Sequence, residues 1–138
     1  MNISWKYVEE LHADSINVSE HLLNICFPLD YKSYILICNA GKPSLSRFDI
    51  KDRKECVLDY MLNLNIESEN SIVKTSIFLH GVGLSPNLIP IAIDPFGNYL
   101  CYKFLKQGTP PGIFFWDHEL HSTTFVCDDF ASFLQILY

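Results

Sequence analysis

Leu88-Ile89-Pro90-Ile91-Ala92-Ile93, Asp94-Pro95-Phe96-Gly97-Asn98 and Tyr99-Leu100-Cys101-Tyr102-Lys103-Phe104 follow one another in the chain. The first is a compact apolar run, the second is turn chemistry and the third suits an antiparallel partner, so together they read as a β-hairpin. Beyond the segment Gln107 to Gly112, rich in Pro and Gly, Ile113 to Trp116 and Thr123 to Cys127 are two further strand candidates. The polar stretch Asp117 to Ser122 between them predicts that they pair. Asp128 or Asp129 can cap a closing helix, in which Phe130, Phe133, Leu134 and Leu137 fall on one face at i, i+3, i+4 and i+7.

Upstream of the hairpin the pattern becomes helical. Ser4 to Leu11 has Trp5, Val8 and Leu11 or His12 on one side of a short helix. Asn17 with Glu20 resembles a capping box for a helix carrying Val18, Leu22 and Ile25 and stopping at Phe27-Pro28. Asp30 can cap another, with Tyr31, Tyr34, Ile35 and Cys38 on one face and Asn39-Ala40-Gly41 at its end. The two helices are expected to pack as a pair. Phe48 and Ile50 alternate as in a short strand, and Val57, Met61 and Leu64 suit a helix from about Lys54 to Leu64. Ser71 to Val82 fits either state: Ile72, Ser76 and Leu79 share a helix face, whereas Ile72, Val73, Thr75, Ile77 and Val82 are β-branched. The expected class is α+β: N-terminal helices, a mixed, mainly antiparallel twisted sheet built from the second half, and a C-terminal helix packed on that sheet.

The 138 residues fit one domain over 1–138 with a core large enough to need neither disulfide nor metal. With 49% apolar and 14% aromatic residues the chain should fold. No apolar run approaches the roughly 18 residues that span a bilayer. Lys6, Glu9 and Glu10 stand where a signal peptide would be apolar, so a cytoplasmic location is expected. Five scattered cysteines without a Cys-x-x-Cys pair fit buried reduced thiols better than a disulfide framework or a zinc site. The net charge of −6, from 16 acidic against 10 basic residues, argues against binding nucleic acid through phosphates and suits a basic protein partner or simple solubility.

Four pieces in this order resemble the SUKH superfamily, which includes bacterial immunity proteins and fungal cell-wall-assembly regulators. They are Phe27-Pro28-Leu29-Asp30-Tyr31-Lys32-Ser33-Tyr34-Ile35-Leu36 leading to Asn39-Ala40-Gly41; Leu88-Ile89-Pro90-Ile91-Ala92 with Asp94 and Gly97-Asn98; Phe115-Trp116-Asp117-His118-Glu119; and Val126-Cys127-Asp128-Asp129-Phe130-Ala131-Ser132-Phe133-Leu134. Ala40 stands where the family has a glycine, which implies that no positive φ is demanded there. The amino-terminal stretch and Arg53 to Gly83 match nothing in the family well. The resemblance implies an α+β fold and a non-enzymatic protein, without cofactor, that binds and blocks a cognate toxin domain, often a nuclease. A regulatory scaffold and a small-molecule sensor are the rival functions.

The densest ionisable cluster is Asp117-His118-Glu119-Leu120-His121. Its histidines are three apart between strands, which is poor spacing for a metal site, so no metal is expected. Asp117 or His118 could instead fix the loop through backbone hydrogen bonds, or the loop could meet a partner with Trp116 as its anchor. Alternation along Ile113 to Asp117 equally allows the Trp116 ring to enter the core. Gly81-Val82-Gly83 lacks the rest of a dinucleotide fingerprint, and no Gly-x-Ser-x-Gly elbow is present. No catalytic residue is therefore assigned. The partner-binding candidates are Asp94, Asn98, Trp116, Asp117, His118 and Glu119.

Overall fold

The chain begins extended. A computed structural model describes residues 2–106 and 108–138, so Gln107, which opens the Pro- and Gly-rich connection, lies outside the described residues. Its elements run Trp5–Lys6 (β1), Ser15–Leu23 (α1), Leu29–Cys38 (α2), Lys42–Pro43 (β2), Arg47–Ile50 (β3), Arg53–Val57 (β4), Tyr60–Met61 (β5), Ile72–Gly81 (α3), Leu88–Ile93 (β6), Tyr99–Lys103 (β7), Gly112–Asp117 (β8), Ser122–Cys127 (β9) and Phe130–Ile136 (α4). Strands β5 to β9 form one sheet in chain order, and β1–β2 and β3–β4 form two small ones. Every strand pair is antiparallel. Among the described residues the expected mixed character shrinks to one parallel bridge, between Asn63 and Ser71.

The period-two pattern of the strands builds two cores. Ile89 and Ile91 of β6, Leu100 and Tyr102 of β7, and Ile113 and Phe115 of β8 face the main core, where they meet Tyr31 and Ile35 of α2, Phe48 of β3 and Phe130 and Phe133 of α4. Leu88, Cys101 and Trp116 face the other way and pack with Leu79 of α3 and Leu84. The middle of the sheet is thus covered on both faces, which is why β6 reads as an unbroken apolar run. Four of the five cysteines are buried and Cys26 is exposed. Burial pushes the Cys38 and Cys127 thiols up to about 12, so they pack as small neutral hydrophobes.

Several expectations for the first half are corrected. Ser4 to Leu11 makes no helix: Trp5 and Lys6 pair with Pro43 and Lys42, and Tyr7 turns at φ 62°. Helix α1 begins at Ser15, before the expected Asn17 cap, and its buried residues are Ser15 and Ser19, not Leu22, which is 56% exposed. Glu20 closes no capping box. Its Oε2 instead accepts from the Phe27 N–H at 2.6 Å and pairs with Lys32 at 3.0 Å, fastening the loop between α1 and α2. Asp30 lies inside α2, and its Oδ2 accepts from the Ala131 N–H in the first turn of α4. Beyond the Glu20–Lys32 ion pair, the helices pack mainly on other elements, α1 against α3 and α2 against α4.

The helix expected from Lys54 to Leu64 is two strands. Arg53–Val57 folds back on Arg47–Ile50 with Asp52 at φ 66° and Glu55 at φ 56°, and Tyr60 and Met61 join β6. Pairing with the adjacent β3 in the first case and with the distant β6 in the second outweighs the weak local helical pattern. Ser71 to Val82 resolves as a helix: Ser71 Oγ accepts from the Lys74 N–H at 3.0 Å, and Ile72, Val73, Ser76 and Leu79 are buried. Ala40 does take a positive φ, of 62°. Its neighbour Gly41 is needed for space, since a Cβ there would lie 3.0 Å from the Cys38 carbonyl and 3.1 Å from Val8.

A buried asparagine network ties the amino-terminal stretch to this core. Asn39, wholly buried, donates from Nδ2 to Asn63 Oδ1 at 2.9 Å and to the Glu9 carbonyl at 3.2 Å, and its Oδ1 accepts from the Leu64 N–H. Asn65 accepts from the His12 N–H and the Ser15 hydroxyl, and donates to the Glu10 carbonyl. Without these bonds the mostly exposed residues 9–14 would pair their backbone groups with water and have little to hold them on the core.

Candidate partner-binding site

Two turns at one end of the sheet are built around carboxylates. Asp94 ends β6, is only 6% exposed, and accepts through Oδ1 from the Phe96 and Asn98 N–H groups at 2.8 and 2.7 Å. Its Oδ2 accepts from Asn98 Nδ2 at 2.9 Å. Asp, Gly and Asn are the residues that a turn bonded to its own backbone calls for, and Gly97 supplies φ 87°. With its nitrogen held by Asp94, Asn98 offers Oδ1 across to the next turn, where it accepts from the His118 N–H at 3.0 Å and meets His118 Nδ1 at 2.8 Å. An oxygen that only accepts requires the proton on Nδ1, which leaves Nε2 of a neutral His118 as an acceptor.

Asp117 does for the β8–β9 turn what Asp94 does for the first. Its Oδ1 accepts from the Glu119 and Leu120 N–H groups at 2.9 and 3.1 Å, and Oδ2 pairs with Arg53 at 3.1 Å. The Leu120 N–H, with smaller help from Glu119 and Arg53, holds its carboxyl below the usual range. Arg53 also lies over the Phe115 ring, 5.3 Å from its centre. The result is a cleft of about 240 Å³ lined by Arg53, Phe96, Asn98, Asp117, His118 and Glu119.

The structure therefore separates the six candidates. Asn98, Asp117, His118 and Glu119 line the cleft, Asn98 at only 3% exposed, whereas Asp94, 6% exposed, holds the turn from outside the lining. Trp116, 4% exposed, lies in the second core, where His121 meets its ring edge-on at 6.0 Å. The two histidines diverge, His118 over Gly97 and His121 over Gly83. Among the described residues no three His, Cys, Asp or Glu side chains converge as a metal site would require.

Two cleft residues were missed from sequence. Phe96, 67% exposed in a turn, gave a signal: a large apolar side chain where turn chemistry asks for none. Arg53 gave none, because only the β3–β4 hairpin carries it 64 residues along the chain to Asp117.

No helix among the described residues is long and apolar enough to cross a membrane. No curated protein matches the chain. A family model described as SMI1-KNR4 cell-wall, SUKH_6, matches residues 13–134, and with nearly the whole length covered, the chain belongs to this SMI1-KNR4 family of the SUKH superfamily.

Proposed function

We propose that the chain is a cytoplasmic immunity protein that binds one cognate toxin domain and blocks it sterically, acting by recognition and not by catalysis. Family membership carries this reading, since the superfamily includes immunity proteins. The net charge of −6 supports it, because an acidic inhibitor is drawn to a basic substrate groove such as that of a nuclease. In this reading Asp117, His118 and Glu119 meet the toxin together with Arg53 and Phe96. Asp94, Asn98 and Trp116 hold that surface in place. The family's printed description favours a second reading, a regulatory protein-binding module of the SMI1-KNR4 cell-wall kind.

Co-expression with the carboxy-terminal domain of a toxin encoded beside this gene tests the proposal. Growth should be rescued and a stable complex recovered, with a Glu119→Lys variant binding more weakly at an unchanged melting temperature. Failure to rescue and to form a complex sinks the immunity reading.

A further inference from the structure

Most strand edges in this fold are guarded, and one is not. At one side of the five-stranded sheet β5 is two residues long, and its Met61 N–H is given to the Gly41 carbonyl. Arg47 of β3 exchanges both of its backbone hydrogen bonds with Tyr138. Strand β4 begins Arg53-Lys54-Glu55 and takes φ 56° at Glu55, and charges and kinks of this kind keep other strands away. At the far side of the sheet stands β9, whose six residues Ser122-Thr123-Thr124-Phe125-Val126-Cys127 include no charge, proline or glycine.

Among the described residues the backbone of β9 bonds only to β8. The N–H and C=O groups of alternate residues therefore point outward without a partner strand. A bulge shifts the register between Ile113 and Phe114, so the regular stretch is Ser122 to Phe125. Ser122 and Thr123 are exposed, and Phe125 is 50% exposed. Phe125 meets Phe114 edge-on at 5.4 Å, on the sheet face that also carries Trp116, and makes an apolar ledge beside the open edge.

Charge at the ends of β9 selects the occupant. Glu119 stands in the turn before it, Asp128 and Asp129 follow it, and all three are exposed. Arg53 is paired with Asp117, and Lys103, two strands in from the edge, lies over the Phe114 ring. A second copy of this chain, laid on the edge in either direction, would set acidic end against acidic end between two chains of net charge −6, which repel. A strand with basic ends is attracted instead.

We propose that Ser122 to Phe125 takes up an extended segment of a partner protein as a sixth strand of the sheet, a segment with apolar β-branched side chains in its middle and a basic residue at each end. Main-chain hydrogen bonds hold the segment, its apolar side chains lie beside Phe125, and its basic ends meet Glu119 and Asp128. The inference rests on reading the chain as a toxin-binding protein and adds how the toxin is held. Glu119 belongs both to the cleft and to the end of this edge, so one partner engages the two together.

The test titrates the full ¹⁵N-labelled chain with the acetylated, amidated hexapeptide Arg-Thr-Val-Thr-Val-Arg, followed by NMR. The Thr123, Thr124 and Phe125 amides should shift in one saturable process, with cross-peaks between peptide and β9 backbone protons. N-methylation of the four central peptide nitrogens, which removes donors and keeps the charge, should weaken binding more than about tenfold. Glutamate in place of both arginines should abolish it. Asp128→Lys should weaken binding about threefold, whereas Glu9→Lys, beside β5 at the opposite edge of the sheet, should change it less than about twofold. No binding, equal binding of the N-methylated peptide, shifts centred elsewhere, or β9 amides that shift on dilution as a self-dimer parts each overturn the proposal. No toxin is present in this titration, so its failure is distinguishable from failure of growth rescue.

Discussion

The turns at Asp94 and Asp117 and the asparagine network of Asn39, Asn63 and Asn65 are both polar constellations, yet they are assembled in opposite ways. Within the turns each carboxylate bonds backbone two to four residues away, and Asn98 spans 20 residues to His118. The network's long links span 24 to 55 residues and join the amino-terminal stretch, the end of α2 and the segment after β5. Turns of the first kind form wherever their short sequence stands and then present a surface. A network of the second kind forms only with the fold, and a lost member strands its partners in the interior.

The largest expected effect lies in the network. Asn39→Ala leaves the buried Leu64 N–H without its acceptor and takes a donor from the Glu9 carbonyl and from Asn63 Oδ1, which keeps only the Asn65 N–H, and should cost about 3 kcal/mol in urea denaturation. A loss under about 1 kcal/mol would break the comparison, because the network would then be no more than an accompaniment to the fold. Asp94→Ala comes next. It removes three accepted hydrogen bonds from a carboxylate 6% exposed, and should cost about 2 kcal/mol by the same measurement. His118 amide and ring signals should move with it, since Asn98 would lose its anchor. Unmoved His118 signals would show that the second turn stands alone.

The smallest effect is at Asp117 and appears through pH. Its folded-state carboxyl titrates below the ordinary value, so its contribution is complete above the unfolded pKa of about 3.9 and fades as pH falls through the lower folded value. Asp117→Asn lacks this contribution at every pH. The stability curves of the two proteins, measured by denaturation between neutral and strongly acidic pH, should therefore converge toward the acid end. A gap that stays constant would mean that geometry, not charge, is what Asp117 supplies.

Legibility in the sequence followed the same division. The β6–β7 hairpin, the pairing of β8 with β9 and the Asp129-capped closing helix were readable because alternation, turn residues and a cap act within about ten residues; Asp129 Oδ1 does accept from the Ser132 N–H at 2.7 Å. The same clarity exposed Asp117, His118 and Glu119 as a cluster. It could not say that Trp116, one residue away, turns into the second core, because the fate of alternate residues depends on what covers each face of the sheet.

By itself, then, the sequence determined the α+β class, the four sheet strands of the second half, their turns, and a set of motifs sufficient for the family. Tertiary structure alone decided that Tyr60–Met61 is a strand, that Asp30 serves α4, and that Arg53 meets Asp117. Caps and tight turns are settled by neighbours in the chain, whereas ambiguous segments and distant polar groups take their state from whichever long-range partners the packed core brings within hydrogen-bonding reach.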